Sequence, residues 1–254
     1  MAIKLKSPTE LRLMRQAGRI VAEIYALLPD QVRPGVSTAE LDAFVEREIR
    51  KRGARPSFLH YGHPPYPASI CVAVNEQVVH GIPNPRQILR EGDIVGIDIG
   101  AQYRGWHGDA CVTYPVGRIS AEAERLLRVT QECLWLGIEQ ARAGNRVGDI
   151  GHAIQTHAEK HGYGVVRGLG GHGVGKRLHE DEPSIQHAAE PGTGPLLRPG
   201  MTFTIEPMIN QGSPEWRELA DRWTVVTVDG KLSAQFEHTV AITRGDPEIL
   251  TRLD

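Results

Sequence analysis

Four acidic residues stand in strand-like, largely apolar settings along the 254-residue sequence. Asp98 closes Val95-Gly96-Ile97-Asp98 and Glu206 closes Phe203-Thr204-Ile205-Glu206, so each is expected at the end of a strand. Asp109 lies in Gly108-Asp109-Ala110-Cys111-Val112, and Glu237 in Gln235-Phe236-Glu237-His238-Thr239-Val240. Carboxylates buried together repel one another, and unpaired they either bind protons or destabilise the fold. Divalent ions remove that conflict. Several carboxylates with one imidazole suit Mn, Fe, Co or Zn, and two carboxylate-bridged ions roughly 3.5 to 4 Å apart form a recurring hydrolytic arrangement. Taken alone, any one of these acids reads more simply as a solvated strand residue or a surface ion-pair partner.

An imidazole is available in Gly168-Leu169-Gly170-Gly171-His172-Gly173-Val174-Gly175-Lys176-Arg177-Leu178-His179. Gly168, Gly170 and Gly173 satisfy a dinucleotide-binding GxGxxG, but polar residues and Pro183 follow where a helix should open. Gly170, Gly175 and Lys176 meet most of a P-loop, with Arg177 where a hydroxyl should hold magnesium. His179-Glu180 begins a zincin motif that Pro183 ends, since proline disfavours the helix it needs. The reading that survives is a glycine loop that lets backbone crowd around His172 and leaves its ring free for metal, with His179 nearby as a donor to a reacting carbonyl.

These residues must be positioned by a scaffold, and the sequence shows it twice. Ser7-Pro8-Thr9-Glu10 and Ser37-Thr38-Ala39-Glu40 are capping boxes, predicting one helix up to Pro29 and another up to Gly53. Ala17, Ile20, Ile24 and Leu27 recur at helical spacing, and Leu126, Val129, Cys133 and Leu136 repeat them after Ser120. Arg33-Pro34-Gly35 meets Arg142-Ala143-Gly144 at an offset of 109 positions, and Glu40, Leu41, Val45, Lys51 and Gly53 meet Asp149, Ile150, Ile154, Lys160 and Gly162. Leu89 to Asp98 then meets Leu197 to Glu206 at an offset of 108. Two copies of helix, helix and strands predict an α+β fold with helices on one face of a mainly antiparallel sheet. One pseudo-symmetric domain is favoured over two domains joined near Ser120, because no linker-like stretch separates the copies.

Hydrophobic residues at 40% and charged residues at 24% fit an ordered globular chain rather than a disordered one. A formal charge of -2 without a basic run argues against nucleic acid as a ligand. No stretch is apolar enough for a membrane span, and the polar start Met1 to Lys6 is no secretory signal, so a cytoplasmic address and no membrane partner are expected. Cys71, Cys111 and Cys133 suggest neither a disulfide framework nor a zinc ribbon; Cys133 reads as a buried thiol and Cys71 stays open as a pocket residue.

Val79-His80-Gly81-Ile82-Pro83, the Asp98 to Asp109 hairpin, Gly171 to Gly175 with His179-Glu180, Thr204-Ile205-Glu206-Pro207-Met208 and Ser233 to Thr239 together resemble the methionine aminopeptidases of bacterial type I, over nearly the whole chain. The resemblance implies the duplicated pita-bread fold as one catalytic domain, 1–254, with related halves at about 7–118 and 119–245. It implies removal of the initiator methionine from nascent proteins, with a small second residue preferred, by hydroxide bound to two divalent ions. Asp98 would bind one metal, Asp109 and Glu237 would bridge both, and His172 with Glu206 would complete the second site. Glu206 would also move protons, His179 would polarise the scissile carbonyl, and His80 would contact the substrate backbone. Tyr66, Cys71 and Trp223 would line the methionine pocket, although core packing would explain each nearly as well. Leu178 departs from the aromatic often found before His179, and Ser57 to Tyr66 is slightly longer than usual, making His60 and His63 rim residues. Nascent chain N-termini near the ribosome are the expected partners, and a monomer the expected state. An Xaa-Pro aminopeptidase and a metal-free protein-binding relative are the alternatives.

Overall fold

The computed structural model describes residues 3–253; Met1, Ala2 and Asp254 lie outside the described residues, and with them the first two positions of the polar start. Four helices, α1 (Pro8–Tyr25), α2 (Thr38–Lys51), α3 (Ala121–Gln140) and α4 (Val147–Lys160), form two pairs. The first pair starts where the capping boxes require. The Glu10 carboxylate accepts from the Ser7 N–H at 2.9 Å and Glu40 from that of Ser37 at 2.8 Å, satisfying donors the helices leave free. α1 ends before its expected limit, because a short 3-10 turn at Leu28–Asp30 takes over ahead of Pro29. α2 and α4 are each followed by a glycine in the left-handed region, Gly53 at φ +72° and Gly162 at φ +80°. The offset seen in the sequence therefore recurs in backbone conformation.

The strands after α2 are β1 (Arg55–Pro56), β2 (Cys71–Val74), β3 (Gln77–Val79), β4 (Ile94–Tyr103) and β5 (Trp106–Pro115). After α4 come β6 (Gly164–Val165), β7 (Gly170–Gly173), β8 (Glu180–Gln186), β9 (Thr202–Ile205), β10 (Met208–Asn210), β11 (Trp216–Glu218), β12 (Val225–Thr227), β13 (Ser233–Gln235), β14 (Glu237–Ala241) and β15 (Glu248–Ile249). The main sheet runs β1-β4-β5-β14-β9-β7-β8, with β2 also on β4 and β15 on β14, and every pairing is antiparallel. The two three-stranded sheets are β13-β10-β6 and β11-β12-β3. This is the α+β arrangement expected, helices packed on a mainly antiparallel sheet.

Two apolar cores hold the halves. In one, Val21, Ile24, Leu41, Val45 and Ile49 of α1 and α2 pack against Val95, Ile97 and Ile99 of β4. In the other, Leu126, Val129, Cys133, Ile150 and Ile154 of α3 and α4 pack against Phe203, Ile205 and Val240 of β9 and β14. Side chains alternate across a strand, so committing Ile97, Ile99 and Ile205 to the helices sends Asp98 and Glu206 to the opposite face. The same alternation turns Glu237 away from Val240 and the helices.

Candidate metal centre

Strand register lines up the acids. Asp98 pairs with Cys111 across β4 and β5, and Cys111 pairs with Glu237 across β5 and β14. One step beyond the His238 to Ile205 pair, Glu237 comes opposite Glu206. Directly opposed residues share a face, so one row across the sheet carries Asp98, Glu237 and Glu206. Asp109 joins from the next position of the hairpin, since it pairs with Gly100, two residues after Asp98. Asp98 was expected at a strand end; it lies within β4, which continues to Tyr103 because the hairpin partner β5 stays paired along its whole length.

His172 was expected in a loop and lies in β7. Its glycines serve close approach: a Cβ on Gly171 would stand 2.1 Å from the Thr204 carbonyl oxygen, so only glycine lets β7 lie against β9 here. His172 Nε2 is 3.6 Å from Asp109 Oδ2 and 3.8 Å from Glu206 Oε1. Asp109, His172 and Glu237 can bring one ligand atom each to within 4.8 Å of one another. His172 Nδ1 lies 3.1 Å from the Gly173 carbonyl oxygen, which can only accept; Nδ1 therefore carries the proton and Nε2 presents a lone pair to the acids.

Further hydrogen bonds hold these side chains. The His172 N–H donates to Thr204 Oγ1 at 3.0 Å, and that hydroxyl donates to Glu206 Oε1 at 2.7 Å. The Gln235 amide donates to Glu206 Oε2 at 3.3 Å. Thr239 Oγ1 accepts from the Asp109 N–H at 3.1 Å and donates to its carbonyl at 2.7 Å. The backbone N–H of Glu206 donates to His187 Nε2 at 3.2 Å.

The electrostatics call for a cation. Burial raises Asp98 and Glu237 well above the carboxylate range, and like-charged neighbours add to the shift. Burial also raises Asp109 to about 7 and Glu206 to about 8. Asp98 Oδ1 and Asp109 Oδ1 are buried with no hydrogen-bond partner among the described residues. Among the described residues, no Lys or Arg lines the cavity. Oxygen donors with one oriented imidazole and no counter-charge fit divalent metal, which would hold the carboxylates ionised.

Beside the acids opens a cavity of about 210 Å³. Tyr66, Cys71 and Trp223, together with His80 and His179, form part of its wall. Tyr66 and Trp223 meet edge to face with ring centroids 5.1 Å apart, and the Tyr66 hydroxyl donates to the Gly81 carbonyl at 2.7 Å. The Trp223 ring also stands at a right angle to His80, 6.1 Å away. His80 sits at φ +59°, directly after β3, and burial pushes its pKa down to about 4, so the ring is neutral. His179 stacks edgewise on His172 with centroids 3.8 Å apart, and its Nδ1 lies 2.5 Å from the Tyr61 hydroxyl. Leu178, the departure noted before His179, is buried among Phe58, Tyr66 and Cys71 and supplies apolar surface there. His60 and His63 do not line the cavity.

Sequence reading left Phe58, Tyr61, Leu169 and Met208 without a role, although all four face the cavity. Phe58 and Tyr61 belong to the segment already marked as longer than usual, and Met208 follows Glu206-Pro207 in a quoted motif. His187, beneath Glu206, carried no signal.

The model of metallopeptidase family M24 matches residues 12–244. "Methionine aminopeptidase 1" of Bacillus subtilis is 54% identical over 98% of this chain and 98% of its own length. "Methionine aminopeptidase" of Escherichia coli is 44% identical over 99% of this chain and 94% of its own. The crystal structure of methionine aminopeptidase from Rickettsia prowazekii superimposes with a TM-score of 0.95 at 43% identity, covering 98% of this chain and 100% of that one. Prolidase from Pyrococcus furiosus shares the fold, with a TM-score of 0.79 at 23% identity over 98% of this chain and 66% of that one.

Proposed function

Since the chain belongs to metallopeptidase family M24, we propose that it is a methionine aminopeptidase that removes the N-terminal methionine from peptides and nascent proteins, preferring a small second residue. One observation carries the reading: a row of acids, Glu206 and Glu237 buried and Asp98 half-buried, borders with an oriented imidazole an apolar slot lined by Tyr66, Cys71 and Trp223. An unbranched thioether suits such a slot, being apolar, flexible and polarizable. The cofactor is divalent metal; the finer assignment is two ions per chain, drawn from Mn, Fe, Co or Zn. Asp98 would hold one, Asp109 and Glu237 would bridge, and His172 with Glu206 would hold the other.

Bound ions would supply Lewis acidity and an activated water at neutral pH. The protein supplies the rest. Glu206, raised by burial and held by Thr204 and Gln235, is suited to passing a proton from the attacking water to the leaving amine. His179 at the cavity wall would polarise the scissile carbonyl, and neutral His80 would donate to or accept from the substrate backbone. The aromatic walls would exclude water from the methionine side chain. The chain would act as a single catalytic domain, 1–254, with related halves at about 7–118 and 119–245, as a monomer in the cytoplasm, on chains emerging near the ribosome.

The test titrates chelator-treated protein with each of the four metals and follows Met-Ala-Ser and Ala-Pro peptides in parallel. Metal-dependent release of methionine is expected, with Glu206→Gln lowering kcat by about 10² to 10⁴-fold. Preference for Ala-Pro would move the chain to the Xaa-Pro peptidases. Hydrolysis of neither peptide with any metal would leave a binding protein on this fold.

A further inference from the structure

A second set of metal-ligating side chains lies on the helical layer, away from the cavity. Glu132 projects from α3, His157 from the last turn of α4, and His161 caps the end of α4. Each can bring one ligand atom to within 4.8 Å of the others, and all three are half-buried. None lines the cavity described above.

The geometry is that of a chelate. His157 and His161 are four residues apart, so they rise from the same face of the helix, and their ring centroids are 4.7 Å apart. Glu132 reaches across from the neighbouring helix, with Oε2 2.8 Å from His157 Nε2. Tetrahedral zinc with ligand bonds near 2.0 to 2.1 Å holds its donors about 3.3 Å apart. Glu132 and His157 thus need a small opening, and the His157 proton that faces the carboxylate must move from Nε2 to Nδ1, to admit an ion.

The surroundings are prepared in part. Arg128 occupies the other Glu132 oxygen, Oε1, at 2.8 Å, which orients the carboxylate while leaving Oε2 toward the histidines. Arg125 donates to the His161 carbonyl at 2.9 Å, fixing the residue at the helix end. These two guanidinium groups oppose a cation. The carbonyl end of α4 favours one, because its unpaired oxygens carry partial negative charge. His161 is shifted below the usual histidine range, chiefly by desolvation and then by His157, so its ring presents a free lone pair at neutral pH.

We propose that Glu132, His157 and His161 form a second metal site, for zinc or an ion of similar ligand preference, that clasps α3 to α4. Two imidazoles and one carboxylate leave the fourth position to water, the ligand set zinc accepts readily. Its effect is on the fold rather than on the reaction: an ion that binds the folded chain and not the unfolded one raises stability with its concentration.

The experiment counts zinc by equilibrium dialysis against zinc alone, in the full chain and in His161→Ala, Glu132→Gln and His172→Ala variants. The surface variants are expected to bind one zinc fewer per chain and to lose the zinc-dependent rise in Tm beyond that due to the catalytic centre. They should still hydrolyse Met-Ala-Ser. His172→Ala should retain the surface ion. Glu132→Gln keeps the side-chain shape, so loss of zinc there is not loss of fold. Equal zinc counts in the full chain and both surface variants would overturn the site, leaving Glu132 and His157 as a plain hydrogen bond between helices.

Discussion

The two halves bring carboxylates to one centre by unlike means. The first half uses a single regular hairpin, β4 and β5, paired in register from Ile94–Pro115 to Tyr103–Trp106. It turns through Arg104 and Gly105, both in the left-handed region at φ +50° and +80°, which matches the twist of the flanking strands. The second half uses short strands: β9 ends at Ile205, and the chain passes through β10 to β13 before β14 brings Glu237 back beside it. The neighbours differ too. Ala73 on β2 faces Gly96, two residues before Asp98, whereas His172 on β7 bonds Thr204, two residues before Glu206. Equivalent strands thus carry a methyl group on one side and an imidazole on the other. Duplication makes a symmetric set of acids, and the imidazole added on one side would make the two proposed metal positions inequivalent.

The largest effect is expected at the proposed bridges. Asp109→Ala and Glu237→Ala come from different halves, yet each should abolish both metal binding and Met-Ala-Ser turnover. Wild-type turnover in either would end their equivalence.

A smaller effect should separate the inequivalent positions. His172→Ala should lose one catalytic ion, keep Asp98 occupied, and lower kcat/KM by at least about 100-fold, above the range of outer-shell changes. Metal analysis with stopped turnover assays would check it; retention of both ions at full affinity would place the imidazole outside the coordination.

The cores offer a like-for-like contrast. Leu41→Ala and Ile150→Ala occupy equivalent helix positions and are fully buried in their own clusters. Each should destabilise by about 2 to 5 kcal/mol in urea titrations. If the halves are one cooperative unit, circular dichroism and tryptophan fluorescence will report a single midpoint for both variants. Separate midpoints would make them two domains.

The mildest expected effect concerns pH. In metal-free protein Glu206 is raised to about 8 and Asp109 to about 7, so the folded chain holds protons that the unfolded chain releases near 4. Stability is then greatest below the unfolded pKa values and falls as pH rises through the folded ones. The Tm of chelated protein should drop between about pH 5 and pH 8, and saturating metal should reverse the trend. A Tm that rises with pH in chelator would contradict the shared burial of the acids.

Much of this was legible in residue order because it is periodic or local. Capping boxes set the starts of α1 and α2, helical spacing marked the buried stripes, and the constant offset paired Leu41 with Ile150 and Asp98 with Glu206. The family resemblance supplied the metal roles, which strand alternation alone does not assign. The glycine segment misled as to element type, because glycines signal loops by composition while here they let β7 approach β9.

The duplicated α+β plan and the residues that face the helices are written in residue order, since period and caps act over a few neighbouring positions. Tertiary structure alone decided that Glu237 stands between Cys111 and the end of β9, that Phe58 and Tyr61 close the cavity, that His187 supports Glu206, and that Glu132 meets two histidines of another helix. Each of these joins residues 19 or more positions apart. Such contacts follow from strand order and helix packing, which no local pattern encodes.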